Sequence, residues 1–401
     1  MTALPLRPLA ALRRDGSFSA VLAGFVAVLV GFSSSIGLVF QAAERAHLTP
    51  GQTNSWVLSV YLAIALPGAL LSWHYRAPVI TAWSTPGLAL IVHEAGRLSY
   101  PEMIGSYLVT AVLITALGLS GLFERLVRLI PAPLASGLLA GILLPFGLAA
   151  FTALPARPLT VGGMLLAYLL GRVLAPRYAV LLALVAGVGA ALLAGQVHLG
   201  AGSGLFGWPH LTLPSFTVSG LLVLALPMTL VTLASQNLPG AANLKASGYG
   251  RVPISPLISA TGLASLLAAP FGGQTVNLAA ITAAICTGEE AHHDPGRRYV
   301  AGLSAAFFYL LLGLFAGAVA GGVGALPSVL VLALAGLALV GTITASLYDA
   351  VLDPRWRESA ALTLLVTASG VTLLGLGSPF WGILIGGLSG WALNRRRKAQ
   401  P

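Results

Sequence analysis

The 401-residue chain is 57% hydrophobic and only 8% charged, against about a quarter charged in an ordinary soluble domain. That composition cannot build a water-exposed surface, so a soluble enzyme or binding module is excluded and a bilayer is the natural solvent. The formal charge of +10 does not point to nucleic acid as a partner, because the basic residues sit in short breaks and at both tails rather than in a stripe.

Arg7, Arg13 and Arg14 precede a long apolar run that lacks a signal-peptide cleavage pattern, which predicts a cytoplasmic tail over 1–18 and an uncleaved first span. Apolar segments then follow near 19–42, 52–73, 78–93, 102–121, 131–152, 158–174, 178–196, 216–236, 254–269, 272–287, 299–321, 327–348, 359–376 and 379–394. About fourteen crossings are expected, in an all-α integral membrane fold with both termini cytoplasmic. Counting basic residues on alternating sides places only Arg45, Arg97 and Arg157, of 21, on the outer side. One miscounted span would scramble that bias. The 48 glycines and 25 prolines suit close helix contacts and broken helices. Cys286, the single cysteine, excludes an internal disulfide and a multi-cysteine metal site and reads as a packing residue; no metal and no cofactor is expected.

Two segments are too short and interrupted to cross as one helix. In the first, RAPVITAWSTPGLALIV, Pro78 and the β-branched Val79, Ile80 and Thr81 favour extended chain. Ser84 and Thr85 are cap residues there, and Pro86 suits a helix start. The second, APFGGQTVNLAAITAAICTG, has Gly272 and Gly273, an extended Gln274-Thr275-Val276, and Asn277 as a cap for the helix beginning at Leu278. Ser84 and Asn277 lie 193 positions apart, so each half holds seven spans with its third one broken. An odd number inverts the second half, the plan of many secondary transporters. If the two helix N-termini converge, their N–H groups and dipoles form an anion site that needs no arginine.

The runs AGFVAVLVGFSSSIGLVFQAA, VITAWSTPG, TLASQNLPG and AAITAAIC resemble the benzoate:proton symporter (BenE) family, over nearly the whole chain. The family lies in a wider group with the nucleobase symporters and sulfate permeases. The resemblance implies two inverted seven-span repeats forming a core domain (19–121 and 216–321) and a gate domain (122–200 and 322–394), with a basic cytoplasmic tail at 395–401. It implies as substrate benzoate or a similar aromatic carboxylate, taken up with a proton through a bacterial inner membrane. A homodimer is compatible with it. Related nucleobase carriers use a glutamate on span 8 or span 10 where this chain has Gln236 and Asn277, which argues against a nucleobase.

Candidate substrate-binding residues come from the spans flanking the broken helices. Ser34 and Gln41 lie two turns apart on one face of span 1 beside Ser33 and Ser35, and Thr229, Thr232, Ser235 and Gln236 form a stripe on span 8. With Ser84, Thr85, Asn277, Leu278 and Gln274 they offer polar groups for a carboxylate, while Trp83 and Phe271 could flank a ring. Glu44, Glu94, Glu102, Glu124, Asp349 and Asp353 map to span ends or loops, as do His47, His74, His93, His198 and His210. They read as solvated or interfacial groups, so the proton's route is unassigned unless the substrate carries it. No phosphate-binding loop and no intramembrane base are present, which argues against an ATP-driven pump and a membrane hydrolase. A passive channel on the same architecture stays open.

Overall fold

The structure is a computed structural model that describes residues 14–123, 131–197, 204–279, 281–289, 291–371, 373 and 378–398. Arg7, Arg13, Glu124, Arg125, Arg128 and His198 lie outside the described residues, as does the side chain of Ser34. Apolar runs become helices because an internal hydrogen-bond ladder satisfies the backbone away from water. In chain order these are α1 (Phe18–Arg45), α2 (Pro50–Tyr75), strand β1 (Thr81–Trp83), α3 (Thr85–Glu94), α4 (Tyr100–Ser120), α5 (Ala132–Thr152), α6 (Pro158–Leu174), α7 (Ala179–Leu193) and α8 (Val218–Leu244). Next come α9 (Ile254–Ala268), strand β2 (Val276–Leu278), α10 (Ile281–Thr287), α11 (Tyr299–Leu314), α12 (Ala316–Gly324), α13 (Ser328–Leu352), α14 (Arg357–Ala368) and α15 (Ser378–Lys398). Side chains mark their starts. Ser17 caps α1, the Thr49 hydroxyl and Gln52 exchange bonds at α2, and Glu102 accepts from the Ser99 N–H at 2.8 Å at α4.

Among the described residues, seven helices are long and apolar enough to cross a membrane, and α11 with α12, bent by 70°, could supply an eighth. The α6 and α7 helices, of 17 and 15 residues, fall short of the ~20 that a perpendicular crossing needs. With 10 and 7 residues, α3 and α10 are the short helices expected from the two interrupted segments.

The helices pack into two bundles. One gathers α1 to α4 with α8 to α11 around both strands; the other gathers α5 to α7 with α13 to α15. Contact is close where residues are small: a Cβ added at Gly118 of α4 would lie 2.6 Å from the Ser259 nitrogen of α9, and one at Gly262 only 2.8 Å from the Thr115 nitrogen. Such approach is how helices gain dispersion contact without a hydrophobic drive between them.

At the heart of the first bundle, β1 and β2 pair antiparallel with Thr81 opposite Leu278, Ala82 opposite Asn277 and Trp83 opposite Val276. Two three-residue strands cannot satisfy their own outer edges, and neighbouring helices do it for them. The Ser72 hydroxyl of α2 exchanges bonds with Val79 N–H and C=O (3.1 Å each), and Thr81 donates to the Ile64 carbonyl at 2.7 Å. On the other side the Val276 N–H donates to Ser265 of α9 at 2.8 Å, and the Leu278 N–H donates to Asn237 Oδ1 of α8 at 3.0 Å. Gly240 lets α8 lie on β2, since a Cβ there would sit 2.7 Å from Leu278 Cβ and 2.9 Å from the Ala279 oxygen.

One end of this bundle is tied by charge. Asp15, 5% exposed, pairs with Arg14 (2.9 Å) and lies near Arg76 (3.6 Å) and Arg297 (4.0 Å), and the Tyr299 hydroxyl donates to it at 3.0 Å. Arg76 closes α2 in a left-handed conformation and rests 4.5 Å from the rings of both Trp73 and Tyr299. The Arg14 hydrogen bond, against opposing desolvation, holds the Asp15 carboxyl below the usual carboxylate range.

This packing is testable at two points. Gly240→Val should lower unfolding stability in detergent by roughly 1–3 kcal/mol through overpacking, whereas Gly51→Ala, in α2 with nothing near it, should not lower it on the same thermal ramp and gains up to about 1 kcal/mol from helix propensity. The lowered pKa of Asp15 means that its stabilisation is fully present above the ordinary value of about 3.9 and is lost as pH falls through the depressed one. Asp15→Asn should therefore lower the melting temperature at pH 7 and flatten its fall below about pH 4; an unchanged acid limb would contradict the pairing.

Candidate functional site

Between the two bundles lies a cavity of about 380 Å³, within the range of small-molecule sites. Its first wall carries Ser35 of α1, Trp83 of β1, Thr85 of α3, Gln236 of α8, Thr282 of α10 and Tyr309 of α11. The facing wall carries Tyr168 and Arg172 of α6, Ala179 of α7, and Leu339 and Thr342 of α13. A second cavity of about 1020 Å³ lies between α5, α8 and α13, with Lys245 and Asp349 on it, and shares Thr342 with the first.

Each polar group is aimed by its element. Pairing with β2 ends β1 at Trp83, and Ser84 then caps α3 by accepting from the Gly87 N–H at 3.1 Å. Pro86 has no N–H, so the donors of this helix start are the Thr85 N–H and a hydroxyl pair in which Thr85 Oγ1 meets Ser35 Oγ at 2.9 Å. Tyr61 stacks against both Trp83 and Tyr309, at 5.1 and 5.8 Å between ring centres, which fixes the two cavity aromatics as one cluster. Near α8 the backbone contains three π-helical stretches, Leu221–Ala225, Leu233–Asn237 and Lys245–Tyr249. Each widens a turn and rotates the residues beyond it about the helix axis. Just before the middle one Thr232 donates to Ser84 at 3.1 Å, and that turn lets Gln236 face the cavity and Asn237 reach β2.

Of the candidates named from the sequence, Ser35, Trp83, Thr85 and Gln236 line the cavity. Ser84, Thr232, Asn277, Leu278 and Gln274, each at most 1% exposed, stand behind the wall. The Asn277 amide accepts from the Ser84 N–H and donates to the Leu278 carbonyl, both at 2.9 Å, and Gln274 accepts from Trp56 Nε1. Asn277 does not cap the second short helix: it is held in β2, and α10 begins at Ile281, its own start bordering the cavity through Ala279 and Thr282. Gln41 lies further along α1, away from the cavity, with its Nε2 buried and without a partner. Ser34 is on α1, its side chain outside the described residues. Thr229 and Ser235 donate to the carbonyls of Ala225 and Val231 on their own helix, the usual local use of such hydroxyls.

Sequence reasoning missed Tyr309, Thr282 and the α6 pair. In the sequence Arg172 reads only as a loop charge, and the signal available is Tyr168 one helical turn before it. Glu94 lies at a span end, as expected, but is shielded from solvent. It is 1% exposed at the end of α3, with His93 Nδ1 at 2.7 Å and Arg97 at 3.9 Å, because the chain turns back there and Arg97 and Leu98 N–H groups bond its carbonyl. Among the described residues no cluster of His, Cys, Asp and Glu has the grouping a metal ion needs.

Comparison with known proteins places this arrangement. The family model described as benzoate membrane transport protein (BenE) matches residues 14–391. The chain is 46% identical over 374 residues to the inner membrane protein YdcO of Escherichia coli K12, covering 93% of this chain and 95% of that one. It is 42% identical over 378 residues to the benzoate membrane transport protein of Acinetobacter baylyi, covering 94% and 96%. Among solved structures, the transmembrane domain of the cyanobacterial bicarbonate transporter BicA aligns with a TM-score of 0.59 at 15% identity, over 93% of this chain and 97% of that one. Murine Slc26a9 in its inward-facing state aligns at 0.64 and 14%, over 99% and 72%. These two show a shared fold alone. From the family match and the two full-length relatives, the chain belongs to the benzoate membrane transport protein family and is a membrane transporter, not an enzyme.

Proposed function

We propose that the protein carries benzoate or a similar aromatic carboxylate across a bacterial inner membrane, together with a proton, by alternating access. The observation that carries this reading is the joining in one cavity of a hydroxyl-bordered helix start (Thr85, Ser35), an amide (Gln236) and an aromatic pair (Trp83, Tyr309). A carboxylate is stabilised by N–H and O–H donors at the positive end of a helix dipole, and a benzene ring by apolar and aromatic walls. The polar half would also hold a bare inorganic anion; the aromatic half is what favours a ring-bearing one.

The cavity's position between two bundles that meet across it supports alternating access. We assign the first bundle as core (19–121 and 216–321) and the second as gate (122–200 and 322–394). Fourteen crossings in two inverted repeats with both termini cytoplasmic fit these bundles, α6 and α7 then crossing as short spans around which the bilayer thins. The 193-residue spacing of the repeat also separates Ser72 from Ser265, and each of these serines braces one of the two extended segments. Among the described residues the cavity wall carries no carboxylate or imidazole, so benzoic acid itself is the simplest proton carrier.

In proteoliposomes, labelled benzoate should accumulate uphill when an inward proton gradient is imposed and equilibrate without one. Thr85→Val and Gln236→Leu should each reduce apparent benzoate affinity about tenfold or more, the effect of losing a hydrogen bond to a charged group. Gradient-independent equilibration would identify a channel, and competition by a nucleobase but not by benzoate would overturn the substrate assignment.

A further inference from the structure

Arg172 is the only charged side chain on the wall of the 380 Å³ cavity among the described residues, and it stands on the side opposite the α3 helix start. It occupies the last turn of α6, where the negative end of the helix dipole favours a guanidinium. Tyr168, four residues earlier and 6% exposed, shares its face and also lines the cavity. The rotation of α6 is set by packing: a Cβ added at Gly171 would lie 2.8 Å from Ala179 Cα of α7, so that side of the helix is pressed against α7. A tyrosine ring and a guanidinium one helical turn apart match an aromatic ring and its carboxylate.

We propose that Arg172 and Tyr168 are the second bundle's specificity-determining half of the site, the guanidinium pairing with the carboxylate of the bound aromatic acid while Tyr168 closes on its ring. This inference rests on the reading of the cavity as an aromatic carboxylate site. Because α6 belongs to one bundle and α3 to the other, sliding of the bundles separates the cation from the α3 donors. Arg172 therefore strengthens anion binding in this arrangement of the bundles and is lost to the anion in the other. It adds to the preference for acids over neutral ring compounds that the donors at the α3 helix start already give.

The test measures binding to the purified full-length protein, comparing benzoate with its neutral analogue benzamide at about 20 and 500 mM salt, conditions that bracket the screening length of exposed charges. For Arg172→Gln, benzoate affinity should fall about tenfold or more, its salt dependence should flatten, and benzamide affinity should stay within about twofold. Arg172→Lys should recover part of the loss, and Tyr168→Leu should weaken both ligands. Unchanged benzoate affinity in Arg172→Gln overturns the inference and leaves the proposed function standing. If the glutamine variant does not fold, a wild-type protein that binds benzoate and benzamide with the same salt dependence overturns it equally. Wild type that binds benzamide and nucleobases but no aromatic acid at either salt overturns both readings.

Discussion

Extended backbone inside a bundle of apolar helices has to find a partner for every N–H and C=O it exposes, because no water is present to take them. The pairing of Thr81–Trp83 with Val276–Leu278 meets this demand between two segments nearly two hundred residues apart, and the rest of the first bundle is arranged around it. Ser72, Ile64, Ser265 and Asn237 serve the outer edges of the pair from α2, α9 and α8. The Asn277 amide bridges to the Ser84 N–H, and Ser84 in turn caps α3 and receives Thr232. The start of α3 is thus positioned by a network that spans both halves of the chain, and a transported anion would meet a preorganised surface.

The same network separates residues that bind from residues that hold. Ser84, Thr232, Asn237 and Asn277 are fully buried and bond to the strands and to one another, with Asn237 Nδ2 left without a partner, whereas Thr85, Gln236, Trp83 and Tyr309 line the cavity. Polarity in a membrane interior has two uses here, and they sit one residue apart along the chain: Ser84 beside Thr85, Asn237 beside Gln236. The facing bundle adds little polarity but contributes Arg172, the one formal charge on this surface among the described residues. Charge elsewhere is kept to the ends, as in the Asp15 and Glu94 clusters.

Much of this plan is readable from residue order. Pro78 with the β-branched run after it, and Gly272 with Gly273, mark both interruptions, and Ser84 followed by Pro86 marks the helix start that the structure shows. At the second interruption the sequence suggests a helix that begins too early. A cap and a strand residue look alike in a single sequence when both are asparagine, and only the partner strand decides that Asn277 stays extended. Span 8 misleads for a different reason. A 3.6-residue period puts Thr229, Thr232, Ser235 and Gln236 on one stripe, but Thr232 bonds Ser84 and the π turn that follows it, Leu233–Asn237, brings Asn237 to β2 and leaves Gln236 on the cavity. Nothing local announces such a turn. Arg172 counts as a topology signal in the sequence because its helix end is a loop in one dimension and a cavity wall in three. Glu94 looks solvated for the same reason.

A structure of the protein determined with benzoate bound would test the central claim most directly. The account predicts the ligand in the cavity between the bundles, its carboxylate beside Thr85, Ser35 and Gln236 and its ring against Trp83 and Tyr309, with β1 and β2 still paired. Benzoate seated away from the start of α3, or a complex in which the two strands have parted, would contradict it.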